Sequence, residues 1–181
     1  MTNFWQRTIR AAKLDVALYE EVEADRGALP QSTAVVVISS VAAGLGSIKV
    51  VGLGGIVVGT ASALLGWYIW AYLTYLIGSK VLPEPQTSAT YGELLRTIGF
   101  SSSPGLIRIL AIIPGLTSLV FMVASVWMLV AMIIAVRQAL DYRSTWRAVG
   151  VCMIGWVIQA LIIILLFSLF GPSTPPQSVS P

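Results

Sequence analysis

Residues 105–136 read GLIRILAIIPGLTSLVFMVASVWMLVAMIIAV, and Arg108 is the only charged residue among these 32. One helix needs about 20 apolar residues to cross a bilayer, so the stretch is longer than a single span requires. Pro114 and Gly115 interrupt it, and a proline removes one helical hydrogen bond and clashes with the preceding turn. The stretch therefore forms either one long kinked helix or two segments that meet at Pro114.

The rest of the chain has the same character. Of its 181 residues 56% are hydrophobic and 10% charged, and the mean hydropathy is +0.85, whereas a soluble domain has about 25% charged residues. Residues 34–79 contain one charge, Lys49, within a glycine-rich region, which predicts two spans near 32–48 and 54–80. A last span is expected from about 147 to 170. The chain is therefore predicted to be an all-α, multi-pass membrane protein.

The basic residues decide between four and five spans, because cytoplasmic loops carry excess lysine and arginine. With a cytosolic N-terminus, five spans place nine of the eleven basic residues inside, and the C-terminus outside. We therefore predict five transmembrane helices. Residues 105–113 are too short to cross alone, so the third span either recruits the segment before it or is a re-entrant half-helix.

Two amphipathic helices are expected outside the hydrocarbon. Residues 4–26 place Ala11, Leu14, Leu18 and Val22 on one face, which predicts an interfacial helix within a segment 1–30, or a docking surface for a cytosolic partner. Residues 31–171 form the transmembrane domain, and the proline- and serine-rich tail 172–181 is expected to be disordered.

The second amphipathic helix is expected near 91–98. Thr90 and Glu93 match the capping-box pattern at its start. Tyr91, Leu94, Leu95 and Ile98 share one face, with Glu93, Arg96 and Thr97 on the opposite face. This segment would supply the length that the third span lacks.

Two groups of candidate site residues follow. The first is a partner- or lipid-binding set on the inner face: Arg137, Asp141, Arg143, Arg147, Tyr91 and Arg96. Arg137 and Asp141 are also expected to pair, since they are four residues apart. The second is an intramembrane pair, Arg108 and Pro114. Arg108 is either a functional residue or one that snorkels to the interface.

Small residues Gly55, Gly59 and Ala63 repeat every four positions. This spacing lets transmembrane helices pack closely, either in a homo-oligomer seam or, as we favour, against neighbouring helices of the same chain.

Several kinds of chemistry are not expected. The chain has no histidine and one cysteine, Cys152, so we predict no metal site, cofactor or catalytic triad, and no enzymatic activity. A net charge of +3 is too small and dispersed for a nucleic-acid groove. The predicted spans contain no carboxylate, which argues against a proton-driven carrier.

The chain also resembles a known family. The resemblance covers residues 8–171 and rests on three stretches: LDVALYEEVEAD at 14–25, YGELLRTIGF at 91–100, and VRQALD at 136–141. Together these resemble prokaryotic members of the Yip family of membrane proteins, named for Ypt/Rab-interacting proteins. The resemblance implies a five-helix bundle with a cytosolic N-terminus, here in a prokaryotic cytoplasmic membrane. Eukaryotic relatives act in vesicle trafficking and bind Rab GTPases.

Two functions remain open. The first is a non-enzymatic membrane scaffold or organising factor that binds protein partners or anionic lipid through a basic inner face. The second is a transporter or channel subunit built around the broken third span, since interrupted helices mark substrate sites in transporters.

Overall fold

The computed structural model describes residues 3–170, and within that range all regular secondary structure is helical. The seven α-helices are α1 Phe4–Ala12, α2 Val16–Ala24, α3 Leu29–Gly46, α4 Ile48–Leu76, α5 Tyr91–Phe100, α6 Thr117–Ala139 and α7 Thr145–Phe170. A π-helical turn, Ile77–Val81, extends α4, and a 3-10 segment, Ser103–Ile112, lies between α5 and α6. The predicted tail 172–181 lies outside the described residues.

Four helices in this range are long and apolar enough to cross a membrane: Arg26–Gly46, Ile48–Val81, Thr117–Ala139 and Thr145–Ile162. Large apolar side chains on them face outwards, including Val50, Leu65, Val126 and Leu161, as expected for a surface in contact with lipid. The prediction of an all-α, multi-pass bundle is therefore confirmed. The count of five crossings stays a prediction.

The predicted third span is the 3-10 segment Ser103–Ile112. Its 10 residues cover about 20 Å at about 2 Å each, which is less than the roughly 30 Å of bilayer hydrocarbon. The predicted break follows at Pro114–Gly115, where Gly115 has a φ of 87°, and α6 begins at Thr117. Ile112 and Pro114 line a small cavity with Gly46 and Lys49. The segment therefore leads to the end of the bundle where α3 and α4 meet, which we call the hairpin end.

The 3-10 segment packs tightly between α3 and α6. A Cβ on Gly46 would lie 2.2 Å from the carbonyl oxygen of Arg108, and a Cβ on Gly105 would lie 2.1 Å from the Ser39 hydroxyl. Both distances are shorter than van der Waals contact. At Gly46 the obstacle is backbone, so glycine is required there, whereas at Gly105 the Ser39 hydroxyl would have to rotate away.

The two spans predicted within 34–80 are confirmed as α3 and α4. The chain leaves helical geometry at Gly52, which has a φ of 64°, close to the exposed Lys49 as predicted. The Ser40 hydroxyl lies 3.3 Å from Thr60 Oγ1, and this contact links the two helices.

The N-terminal segment differs from the single helix predicted over 4–26. Leu14 has a φ of 62°, and Asp15 caps the start of α2 through a 3.1 Å bond from the Ala17 amide to Oδ1. The prediction of one continuous amphipathic helix is therefore wrong, and Leu14 does not extend a stripe of Ala11, Leu18 and Val22. Leu18 and Val22 instead pack with Ala11 in a cluster that includes the following residues of other helices: Val35, Phe100 and Ala135.

The α1–α2 unit is bound to the bundle by specific hydrogen bonds. The Trp127 indole of α6 donates to the Ala12 carbonyl at 2.8 Å, and the Gln138 amide donates to Glu20 at 2.8 Å. The unit covers one end of the bundle together with the start of α5 and the α6–α7 turn, residues 140–144. We call this the cap end.

A cap-end cleft and an intramembrane arginine

Helix α5 begins with the predicted capping box. The Glu93 amide donates to Thr90 Oγ1 at 3.3 Å, and the Thr90 amide donates to Glu93 Oε2 at 2.7 Å. Two amides at the helix start are thereby satisfied, so this prediction is confirmed. Tyr91, at the first position, lies half-buried and donates its hydroxyl to the Tyr68 carbonyl at 3.1 Å. Tyr91 therefore ties α5 to α4.

Arg96 does not lie on an exposed polar face as predicted. It is 7% exposed, its Nε donates to the Val22 carbonyl at 2.9 Å, and an Nη donates to the Glu23 carbonyl. These carbonyls belong to the last turn of α2, whose orphan acceptors a cation satisfies well. The expected exposure is wrong because α2 covers this side of α5, and Thr97 is buried with it. Arg96 therefore fastens α2 to α5.

Arg137 does not pair with Asp141. Its Nε donates to the Tyr142 carbonyl at 3.2 Å and an Nη to the Arg143 carbonyl at 3.4 Å. Asp141 has a φ of 53°, so the chain has left the helix and the four-residue spacing no longer brings the side chains together. The expected pair is therefore wrong, and Arg137 stabilises the α6–α7 turn.

The loop before α5 also holds this turn. Glu84 pairs with Arg147 at 3.3 Å and accepts from the Arg143 amide at 3.2 Å. The hydrogen bond from the Arg143 amide is the main reason why the pKa of Glu84 is lowered. The Tyr142 hydroxyl lies 2.9 Å from the Gly78 carbonyl and 2.7 Å from the Leu82 carbonyl, and it donates its single proton to one of them at a time. The turn is therefore fixed to the end of α4.

A cleft of about 520 Å³ opens between α2, the start of α5 and the turn. Its charged lining residues are Glu20, Glu23, Glu93, Arg137, Asp141 and Arg143. The cleft thus brings together three of the predicted inner-face residues with three carboxylates that the sequence interpretation did not include. We call it the cap cleft.

The cap cleft is acidic in balance, with four carboxylates against two guanidinium groups. Burial, together with the neighbouring carboxylates of Asp141 and Glu93, raises the pKa of Glu23 to about 7. Arg137 already donates to the turn carbonyls, so its hydrogen-bonding capacity toward a ligand is reduced. The cleft therefore favours positively charged groups over anions.

Most arginines at the cap end have partners within the chain. Arg7, 7% exposed, pairs with Glu21 and Asp25 at 2.9 Å, and Arg10 pairs with Asp15 at 2.7 Å. Hydrogen bonds from Arg10 and Arg7 lower the pKa values of Asp15 and Asp25 respectively. Fewer basic side chains are consequently available to bind a partner or lipid than the number of basic residues predicts.

Arg108 lies on the 3-10 segment, beneath the hairpin end. Its guanidinium carbon is 5.7 Å from the centroid of the Phe121 ring, and its buried Nε has no hydrogen-bond partner. Pro114 lies at the exposed turn before α6 and is separate from the cap cleft.

The small residues of α4 take an unexpected position. A Cβ on Gly59 would meet nothing within 4 Å, and Gly55, Gly59 and Ala63 line a cavity of about 270 Å³ beside α3. The close contact between the two helices is made instead by Gly44, where an added Cβ would lie 2.8 Å from Ile56. A packing role for the repeat stays a prediction.

A bundle of apolar helices with an amphipathic cap defines the chain as a helical, multi-pass membrane protein. The family model of the Yip1 domain matches residues 17–167, which is most of the chain. The chain therefore belongs to the Yip1 family, as the sequence resemblance implied. Comparison with the curated proteins and with the solved structures gave no match.

Proposed function

We propose that the chain is a non-enzymatic membrane scaffold that binds a protein partner in the cap cleft. The observation that carries this proposal is the convergence of Glu20, Glu23, Glu93 and Asp141 around one cleft of about 520 Å³. A cleft of this size accommodates a few side chains of a docked segment. The cap end faces the cytosol, where soluble partners are available.

The charge balance selects the chemistry of the partner. Four carboxylates favour a segment that carries lysine or arginine. Arg143 is exposed, its side chain lies at the rim, and it offers a contact for one acidic residue of that segment. The partner surface is therefore basic, with at most a minor acidic element.

Lipid has a secondary role at the same end. Five basic residues have acceptors within the chain: Arg7, Arg10, Arg96, Arg137 and Arg147. Lys13, Arg26 and Lys80 remain exposed, and each contributes about 1 kcal/mol near an anionic surface. Trp5 and Ile9 of α1 are also exposed. We infer that α1 lies at the headgroup level and holds the cap against the membrane.

The test is run at pH 8, above the Glu23 pKa of about 7, and compares two variants with nearly the same change in net charge. Glu20→Gln with Glu23→Gln removes two carboxylates from the cleft, whereas Gln6→Lys with Ser88→Lys adds two charges at exposed positions outside it. Each protein is reconstituted into zwitterionic nanodiscs and used to capture proteins from its own cytosol, with quantification by mass spectrometry.

We expect a set of proteins that is captured by the wild type and by the variant with charges added outside the cleft. The variant that lacks Glu20 and Glu23 should not capture them. A soluble polylysine peptide should displace these same proteins, and raised salt should weaken their capture. Equal capture by both variants would contradict the proposal.

A transporter or channel subunit is the second candidate. The observation that favours it is the interrupted third segment with Arg108, because broken helices form substrate sites in transporters. Solute flux in proteoliposomes that disappears in Arg108→Met would support it, and flux that is unchanged by this substitution would argue against Arg108 as the site.

A further inference from the structure

Arg108 is a charged group without a countercharge inside an apolar bundle. The ion pairs among the described residues all lie at the cap end and none includes Arg108. Its contact with Phe121 at 5.7 Å lies near the outer limit for a cation–π interaction. A charged residue at membrane depth is costly without a partner, so an anion at this position is favoured.

Arg108 lines cavities at more than one depth of the bundle. Its backbone lies four residues before the end of the 3-10 segment, or about 8 Å from that end. One cavity is shared with Ser47 and Phe121 near the hairpin end, and two others are shared with Met128 of α6, which is 11 residues beyond Thr117. The sequence alternative that Arg108 snorkels to the interface stays a prediction.

A second donor without a partner lines the same space. A cavity of about 320 Å³ is bounded by Arg108 and Trp70, and both the Arg108 Nε and the Trp70 Nε1 are buried without a hydrogen-bond partner. Buried donors are satisfied in more than about nine of ten cases. The remaining polar lining consists of neutral side chains: Ser39, Ser40, Ser102 and Gln159. The cavity lining therefore includes two residues with unpartnered donors, one of them charged, and no carboxylate. This combination favours an oxyanion.

An apolar groove adjoins this cavity. It has a volume of about 380 Å³, and its walls include Val126, Leu129 and Met132. Trp156 of α7 lines both spaces and is 47% exposed, and Val126 is 59% exposed, so the groove opens sideways on the apolar outer surface. A ligand that enters from the bilayer can therefore place a hydrocarbon chain in the groove and its polar group at Arg108.

We propose that Arg108 and Trp70 bind the phosphodiester of a phospholipid whose acyl chain lies in the groove between α6 and α7. The planar guanidinium suits two phosphate oxygens at once, and the indole N–H supplies a third donor. This site is separate from the cap cleft and does not depend on the proposed scaffold function.

The experiment measures phospholipid binding to delipidated protein in a phosphate-free maltoside detergent. Phosphatidylglycerol is titrated and the bound fraction is counted by native mass spectrometry, with inorganic phosphate and oleate as separate arms. The variants are Arg108→Met, Trp70→Phe and, as the matched control, Lys49→Met, which removes an exposed charge near the hairpin end.

The proposal predicts one phosphatidylglycerol per chain and at least tenfold weaker binding in Arg108→Met. Trp70→Phe should weaken binding two- to tenfold, and Lys49→Met should match the wild type. Trp70→Phe keeps Arg108 in place, so it tests the site even if the arginine variant is poorly folded by circular dichroism.

Three results would overturn the proposal. Equal binding by the wild type, Arg108→Met and Trp70→Phe would show that the lipid does not bind at these two residues. Inorganic phosphate that binds as tightly as the lipid would show a free-anion site, and oleate that binds as tightly would show that the phosphodiester is not recognised.

Discussion

Replacing Arg96 by alanine should detach α2 from α5. Arg96 donates to the Val22 and Glu23 carbonyls and is 7% exposed. A hydrogen bond to a charged group contributes about 1.5–3 kcal/mol, and the freed α2 carbonyls regain some hydration when α2 lifts away. We therefore expect a loss of about 2–4 kcal/mol in the free energy of unfolding. Arg96→Lys should recover part of it, because lysine keeps the charge but not the fork of donors.

The measurement is SDS-induced unfolding in mixed micelles, followed by tryptophan fluorescence. The Trp67 indole donates to the Leu95 carbonyl at 3.1 Å, so its emission reports on α5. Arg26→Ala is the control, because Arg26 is exposed and surface substitutions of this kind change stability by about 0.5 kcal/mol or less. A loss in Arg96→Ala no larger than in this control would show that Arg96 does not hold α2 against α5.

Three further predictions concern stability in the same detergent assay. The pKa of Glu23 in the folded protein, about 7, lies above its value in the unfolded chain. The protonated side chain therefore contributes its full stabilisation below about pH 4.5, and this contribution is lost as the pH rises through 7. Glu23→Gln should therefore stabilise the protein by up to about 1 kcal/mol at pH 8 and by less at pH 5, and an equal effect at both values would contradict this sign. Gly46→Ala should lower the free energy of unfolding by about 1–3 kcal/mol, because the added Cβ would lie 2.2 Å from the Arg108 carbonyl. A Cβ added by Gly59→Ala meets nothing within 4 Å, so this variant should be neutral or slightly stabilising. A large loss in Gly59→Ala would instead favour a packing seam at this position. Thr90→Ala should cost about 1 kcal/mol through the lost helix cap, with Thr90→Ser near the wild type, and equal losses in both would exclude the cap as the cause.

Features encoded locally could be predicted from the sequence. The capping box at Thr90 and Glu93 depends on residues three apart, and the break at Pro114 depends on the proline itself. The bounds of the four long helices follow from continuous hydrophobicity over about 20 residues. Each of these needs no knowledge of what the segment contacts.

Features that depend on distant contacts could not be predicted. The acceptors of Arg96 lie 74 and 73 positions earlier in the chain, so the helix alone suggests an exposed polar side chain. The break at Leu14 has no glycine or proline to mark it, and its φ of 62° is unusual for leucine. The cap cleft likewise combines Glu20, Glu93 and Asp141 from three separate elements. A count of charges over the whole inner face does not show that carboxylates outnumber guanidinium groups in this cleft.

The proposed function requires the cap cleft to lie on the cytosolic side, and cysteine accessibility measures this position. Ala24→Cys lies at the cleft and Val50→Cys lies exposed at the hairpin end, each in a Cys152→Ser background. A membrane-impermeant maleimide is applied to inverted and to right-side-out vesicles. We expect the cleft position to label only in inverted vesicles and the hairpin position only in right-side-out vesicles. The reverse pattern would place the cleft outside the cell, where it could not bind a cytosolic partner.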